Sequence, residues 1–192
     1  MIRTFVALDL PEPVQQSLEA FAAPLRQGDY PVRWIPVERI HLTLKFLGNV
    51  PSERIGSMAQ ALSQAVSDLP PFALQPAGCG AFPSIKKMRV VWVGVRGDLE
   101  ALKALQKKVE GALAPLGFPP EDRPFRAHLT IGRVKGSRNL KGLQQALLAG
   151  QSFEGVAFDV SQVVLYKSDL KPDGARYTPL HRIPLGSTGT TI

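Results

Sequence analysis

Cysteine is almost missing: Cys79 is the only one in 192 residues. Without a second thiol there is no disulfide framework and no cysteine-based zinc site, and a reducing cytoplasm is the expected location. Long hydrophobic runs are missing too. No stretch approaches the roughly 18 apolar residues that span a bilayer, so membrane insertion is not expected. The opening MIRTFVALDLPEP is interrupted by Asp9 and Glu12 and leads into no small-residue cleavage site, so it does not read as a signal peptide. Acidic residues are in deficit. Sixteen Asp and Glu stand against 23 Lys and Arg, for a formal net charge of +7. That excess favours a polyanionic partner through long-range attraction and counterion release. Nucleic acid fits, and so do an acidic protein or a membrane surface.

The length suits one compact domain or two small lobes sharing a core. Residues 4–10 read as a strand and 13–25 as a helix with Val14, Leu18, Phe21, Ala22 and Leu25 at helical spacing. A short strand at 32–35 is followed by one at 40–47. Ser52 reads as the N-cap of a helix reaching about residue 68. Strands are expected at 72–82 and 90–95, joined by a basic loop, PSIKKMR, of the kind that forms a flexible flap. A long helix spans 99–116, a proline-rich loop follows, and 127–134 is again a strand. A helix at 140–149 precedes two strands, 156–167 and 176–183, joined by a turn at 171–174. The domain is expected over 1–185, with 186–192 as a frayed tail. Strands come in pairs rather than alternating with helices, so the pattern points to α+β with antiparallel sheets, not to a doubly wound parallel sheet.

The tripeptide HLT occurs twice, at 41–43 and 128–130, each time on an expected strand. Alternation puts His41, Thr43 and Lys45 on one face and Leu42, Leu44 and Phe46 on the other; His128 and Thr130 likewise share a face. A histidine there can give or take a proton near neutral pH, and a threonine hydroxyl can donate to a phosphate oxygen. One such pair on a strand is more often structural than catalytic. Two pairs facing each other across a cleft supply an acid, a base and two anion donors, enough for phosphodiester cleavage without a metal. No HExxH motif and no carboxylate cluster accompanies either histidine.

Nearly the whole chain resembles the two-histidine (2H) phosphoesterases, within them the RNA 2′,3′-cyclic phosphodiesterase or 2′-5′ RNA ligase family. The likeness is carried by RTFVALDLP, WIPVERIHLTLKFLGNV, AFPSIKKMRVVWVGV, FRAHLTIGR and VVLYKSDLKPDGARY, with the paired His-x-Thr-x motif at its centre. It implies a bilobal α+β fold of pseudo-twofold symmetry, with two antiparallel sheets facing a central cleft and helices outside. It further implies hydrolysis of an RNA-terminal 2′,3′-cyclic phosphate to a 2′-phosphate, reversible 2′-5′ ligation in some members, and no nucleotide cofactor or metal. His41 takes the role of general acid and His128 that of general base, with Thr43, Thr130 and Arg133 on the phosphate. Ala127 departs from the proline that often precedes the second histidine. Strict alternation turns Arg133 away from His128, so it reaches the cleft only if the strand bulges near Gly132.

Lys45, Phe82 and Tyr166 are further candidates for RNA contact, each with a structural alternative: a strand-end lysine, a core phenylalanine, a strand residue. Trp34 and Trp92 read as core, Cys79 as a small buried residue and His181 as surface or structural. The expected partner is RNA or an oligonucleotide with a cyclic phosphate end, and the expected state a monomer. Two other readings stay open: an RNA-end binding module with little turnover, and a phosphodiesterase for a small cyclic nucleotide.

Overall fold

The computed structural model describes residues 1–172 and 174–186. β1 (Ile2–Leu8) leads through Pro11 into α1 (Glu12–Gln27), whose Val14, Leu18, Ala22 and Leu25 form the buried stripe. β2 (Val32–Trp34) and β3 (Leu42–Val50) follow, then α2 (Ile55–Val66). Ser52 does not cap that helix. It opens a 3₁₀ turn, Ser52–Arg54, and its hydroxyl contacts Glu53 instead of a helix N–H. β4 (Phe72–Ser84) and β5 (Lys87–Gly97) continue further than expected, leaving only Ile85 and Lys86 to turn the chain. The basic segment is therefore a hairpin tip and not a flap. α3 (Leu99–Leu113) is capped by Asp98, whose carboxylate accepts from Ala101 N at 3.0 Å. β6 (His128–Val134) and α4 (Leu140–Ala149) fall where the pattern put them.

The expected strand at 156–167 is divided. β7 (Phe158–Val160) and β8 (Gln162–Lys171) diverge at Ser161, and β9 (Gly174–Pro184) returns along β8. Asp173 of the expected turn, and the expected tail beyond Gly186, lie outside the described residues.

Among the described residues the strands form one antiparallel sheet in the order β7-β4-β5-β6-β3-β1-β8-β9, with β2 on β6. The two lobes' sheets meet at β3 and β6, where the register is one residue pair, Leu42 with Leu129. A pseudo-twofold axis at that pair exchanges β3 with β6, β1 with β5, β8 with β4 and β9 with β7. The lobes are not consecutive in sequence, because the closing hairpin β8–β9 returns to β1. Leu42, Leu129, Ile131 and Val93 are fully buried in one core with Leu18, Met58, Leu62, Leu105 and Leu143 of the helices. The alternate side chains, His41, Thr43, His128 and Thr130, are left on the opposite face.

Candidate active site

Each His-x-Thr strand carries a bulge at the fourth residue of its motif. On β3, Ala7 pairs with Thr43 and Val6 with Lys45, so Leu44 is the extra residue. On β6, Trp92 pairs with Thr130 and Val91 with Gly132, so Ile131 is extra. A bulge reverses the side-chain phase beyond it. Phe46, expected on the core face, is 56% exposed, and Lys45, expected in the cleft, is 3% exposed. At the equivalent positions, Arg133 comes round to the cleft and Gly132 goes inward. Gly132 has no room for a side chain: a Cβ there would lie 2.6 Å from Val32 and 2.9 Å from Trp34. Its absence lets β2 lie against β6.

Continuing the Leu42–Leu129 register places Thr43 opposite His128 and His41 opposite Thr130. The two histidines are then diagonal neighbours, for which the separation is about 7–8 Å, and the charge of His128 acts on His41. Both rings are held alike. His41 Nδ1 meets the Arg39 carbonyl at 2.9 Å, and His128 Nδ1 meets the Arg126 carbonyl at 2.6 Å. A carbonyl only accepts, so Nδ1 carries the hydrogen and Nε2 is left as the working nitrogen.

Aromatic rings fix the planes. Phe5 stacks on His41 at 4.7 Å with Tyr177 edge-on at 4.9 Å, and Phe82 stands edge-on to His128 at 4.9 Å. Burial lowers the pKa of His41 from its ordinary 6.5; the Arg39 carbonyl and the Asp9 charge oppose that shift, and the His128 charge adds to it.

Two cavities open beside the rings, an arm on the His41 side and an arm on the His128 side, with Phe46 on the wall of both. The arm on the His41 side, about 460 Å³, is walled by Trp34, Pro36, Phe46, Arg39 and Arg133 among others. The arm on the His128 side, about 690 Å³, includes Thr43, Phe82, Arg126 and Glu121. Behind His41 lies a smaller polar cavity bordered by Asp9, Tyr166 and Arg182. No group of three His, Cys, Asp or Glu side chains with metal-binding geometry occurs among the described residues, and no described helix is long and apolar enough to cross a membrane.

Most sequence candidates converge here. His41, His128, Thr43 and Arg133 line the arms, and Phe82 borders the His128 side. Thr130 lies on the same strand face but walls neither arm. Two candidates have other engagements. Lys45 is ion-paired with Glu110 of α3 and donates to the Pro119 carbonyl at 2.8 Å; the Leu44 bulge turned it inward. Tyr166 lies near His41, but its hydroxyl donates to Asp9, which also binds Arg182. Burial and Asp9 together raise its phenol pKa. Trp34 is not purely core, since it borders the cleft; His181 is exposed and Cys79 buried. Sequence reasoning missed Phe46, which only the bulge reveals, and Asp9, whose relation to His41 depends on strand pairing. It also missed the Arg39 and Arg126 carbonyls, which leave no trace in a side-chain pattern.

Paired His-x-Thr strands on a bilobal antiparallel α+β frame define a two-histidine phosphoesterase architecture. The chain belongs to the 2′-5′ RNA ligase superfamily, whose family model matches residues 10–172. It is 34% identical over 179 residues to a Methanothermobacter thermautotrophicus protein named RNA 2′,3′-cyclic phosphodiesterase, covering 93% of this chain and 96% of that one. A Thermotoga maritima protein of the same name is 31% identical, with 94% of each chain covered. Among solved structures, a Thermus thermophilus protein superposes with a TM-score of 0.80 at 26% identity, covering 97% of this chain and all of the other. Escherichia coli LigT complexed with 3′-AMP gives 0.76 at 26% identity, covering 96% and 98%.

Proposed function

We propose that this protein hydrolyses the 2′,3′-cyclic phosphate at an RNA end to a 2′-phosphate, with His41 as general acid and His128 as general base. One observation carries the reading: two imidazoles in register on adjacent strands, each with Nδ1 tied to the carbonyl two residues back, lining cavities that share Phe46 as a wall. The relatives named RNA 2′,3′-cyclic phosphodiesterase support the substrate. Neutral His128 takes a proton from water as its oxygen bonds to phosphorus. The bond from phosphorus to O3′ breaks in line, and O3′ takes the proton of His41. Thr43, Thr130 and Arg133 stabilise charge on the remaining phosphoryl oxygens. A ribose 5′-hydroxyl in place of water gives a 2′-5′ linkage by the same step, so the reading extends to reversible ligation.

The role of His41 needs one further element. Its pKa is lowered in the unliganded protein, which disfavours the protonated donor. The anionic phosphate restores the proton when it arrives, because a nearby negative charge favours imidazolium. The test is turnover of a cyclic-ended oligonucleotide in the presence of a chelator. His41→Ala and His128→Ala should each lower kcat by about 10² to 10⁴; full activity in the double variant sinks the proposal. Tight binding of the RNA end without product points instead to a binding module.

A further inference from the structure

We propose that the cleft arm on the His41 side is the binding site for the internucleotide phosphates of the RNA strand that carries the cyclic end, so that the substrate is a polynucleotide lying along that arm. The inference rests on the phosphodiesterase reading and adds a direction to it. In an in-line displacement, the attacking water and the leaving O3′ lie on opposite sides of phosphorus. O3′ belongs to the terminal ribose, and the proton it receives comes from His41. The ribose, and every nucleotide joined to its 5′ side, therefore lies on the His41 side, while water is activated on the His128 side.

The charges of the two arms agree with this polarity. The His41 arm is bordered by Arg3, Arg33, Arg39, Arg133 and Lys135, and no Asp or Glu among the described residues lines it. Arg3, Arg33, Arg133 and Lys135 are exposed, so their charges face the approach. Trp34, Pro36 and Phe46 supply an apolar wall between them, suited to sugars and base faces. The His128 arm also has cations, but Glu110 and Glu121 are among its walls, and Lys45 there is neutralised by Glu110. A polyanion gains most from a run of cations with no carboxylate between them. A mononucleotide, with one phosphorus between the histidines, has no use for Arg3, Arg33 or Lys135.

The experiment compares uridine 2′,3′-cyclic phosphate with a short labelled oligouridylate ending in the same group. The proteins are the wild type, the triple variant Arg3→Gln/Arg33→Gln/Lys135→Gln, and the double variant Arg89→Gln/Arg123→Gln on the other arm, compared per charge removed. Binding of the 2′-phosphate-ended oligonucleotide is followed by fluorescence anisotropy across salt concentrations. The triple variant should lose at least tenfold more kcat/KM on the oligonucleotide than on the mononucleotide. Its salt slope should shrink by about two, since each phosphate neutralised on a single strand contributes about 0.7. Equal losses on both substrates, or an oligonucleotide loss that follows Arg89 and Arg123 instead, overturns the assignment. If the wild type turns over neither substrate, the phosphodiesterase reading fails and anisotropy decides the subsite alone. Tenfold weaker binding in the triple variant then upholds it, and unchanged binding removes it.

Discussion

At the scale of a residue, His41, the proposed general acid, has a depressed affinity for the proton. Desolvation lowers its pKa below 6.5, and Asp9, on the loop after β1, pulls the other way. Asp9 is itself held by the Tyr166 hydroxyl and by Arg182, so both its oxygens are engaged away from the cleft. An NMR titration of the His41 ring in the free protein should have its midpoint below 6.5. Asp9→Asn removes the raising charge and should move it lower still, while added inorganic phosphate should move it up. A midpoint unmoved by Asp9→Asn removes Asp9 from any tuning role. The same shift bears on stability. The unfolded chain keeps an ordinary histidine and so binds more protons than the folded one below about pH 6.5. The contribution of His41 to stability is therefore full above that value and is lost as pH falls through it toward the folded pKa. His41→Gln should flatten the corresponding part of a urea-midpoint profile between pH 7 and 5.

At the scale of an element, the bulges at Leu44 and Ile131 do most to shape the site. Each moves the sixth residue of its motif, Phe46 or Arg133, to the cleft, and sends the fifth, Lys45 or Gly132, inward. The buried Lys45–Glu110 pair fastens β3 to α3 and, through the Pro119 carbonyl, to the loop that delivers Arg126 and His128. Losing one partner strands a buried charge, so Lys45→Met should cost about 3–5 kcal/mol. Glu110→Leu added to it should recover most of that loss, as read from denaturant midpoints. Recovery of stability without recovery of kcat would mark the Pro119 bond as the part that positions the loop. The strands and helices that frame the candidate site are legible because apolar spacing writes them directly: α1, α4 and both His-x-Thr strands follow from period alone. So are the histidines and their threonines, which precede the bulges. Strict alternation failed after Leu44, because a bulge is set by pairing with β1 and no local residue announces it. Arg133 was placed only conditionally for the same reason. The basic hairpin tip reads as a loop because Lys86 sits in the turn and Lys87 and Arg89 open β5 on the exposed side, leaving Met88 alone as an apolar mark.

At the scale of the whole molecule, two lobes related by a pseudo-twofold axis are joined at the centre by one registered pair, Leu42 with Leu129. Such a seam suggests two units that fold apart, yet the connectivity argues otherwise. The first lobe needs β8 and β9, which come from the last part of the chain, and β8 covers the Thr4–Ala7 edge of β1. The second lobe is crossed by β2 from the first third of the chain, packed over Gly132. The buried side chains of both lobes form one apolar cluster. Neither lobe can complete its sheet before the other is present, so unfolding should be a single cooperative transition. Far-ultraviolet circular dichroism and tryptophan fluorescence, reporting Trp34 at the crossing strand and Trp92 on β5, should give coincident urea midpoints. A chain ending at Ser161 loses β8 and β9, leaves β1 with an open edge and uncovers the core surface against which Val163, Val164 and Leu165 are buried. It should be insoluble or show no cooperative transition. Two separated midpoints in the full chain, or a stable fragment 1–161, would mean that the lobes are independent and that the angle between the two histidines is free to vary. The diagonal spacing of the rings would then belong to one arrangement among several, and the proposed acid and base would lose their fixed frame.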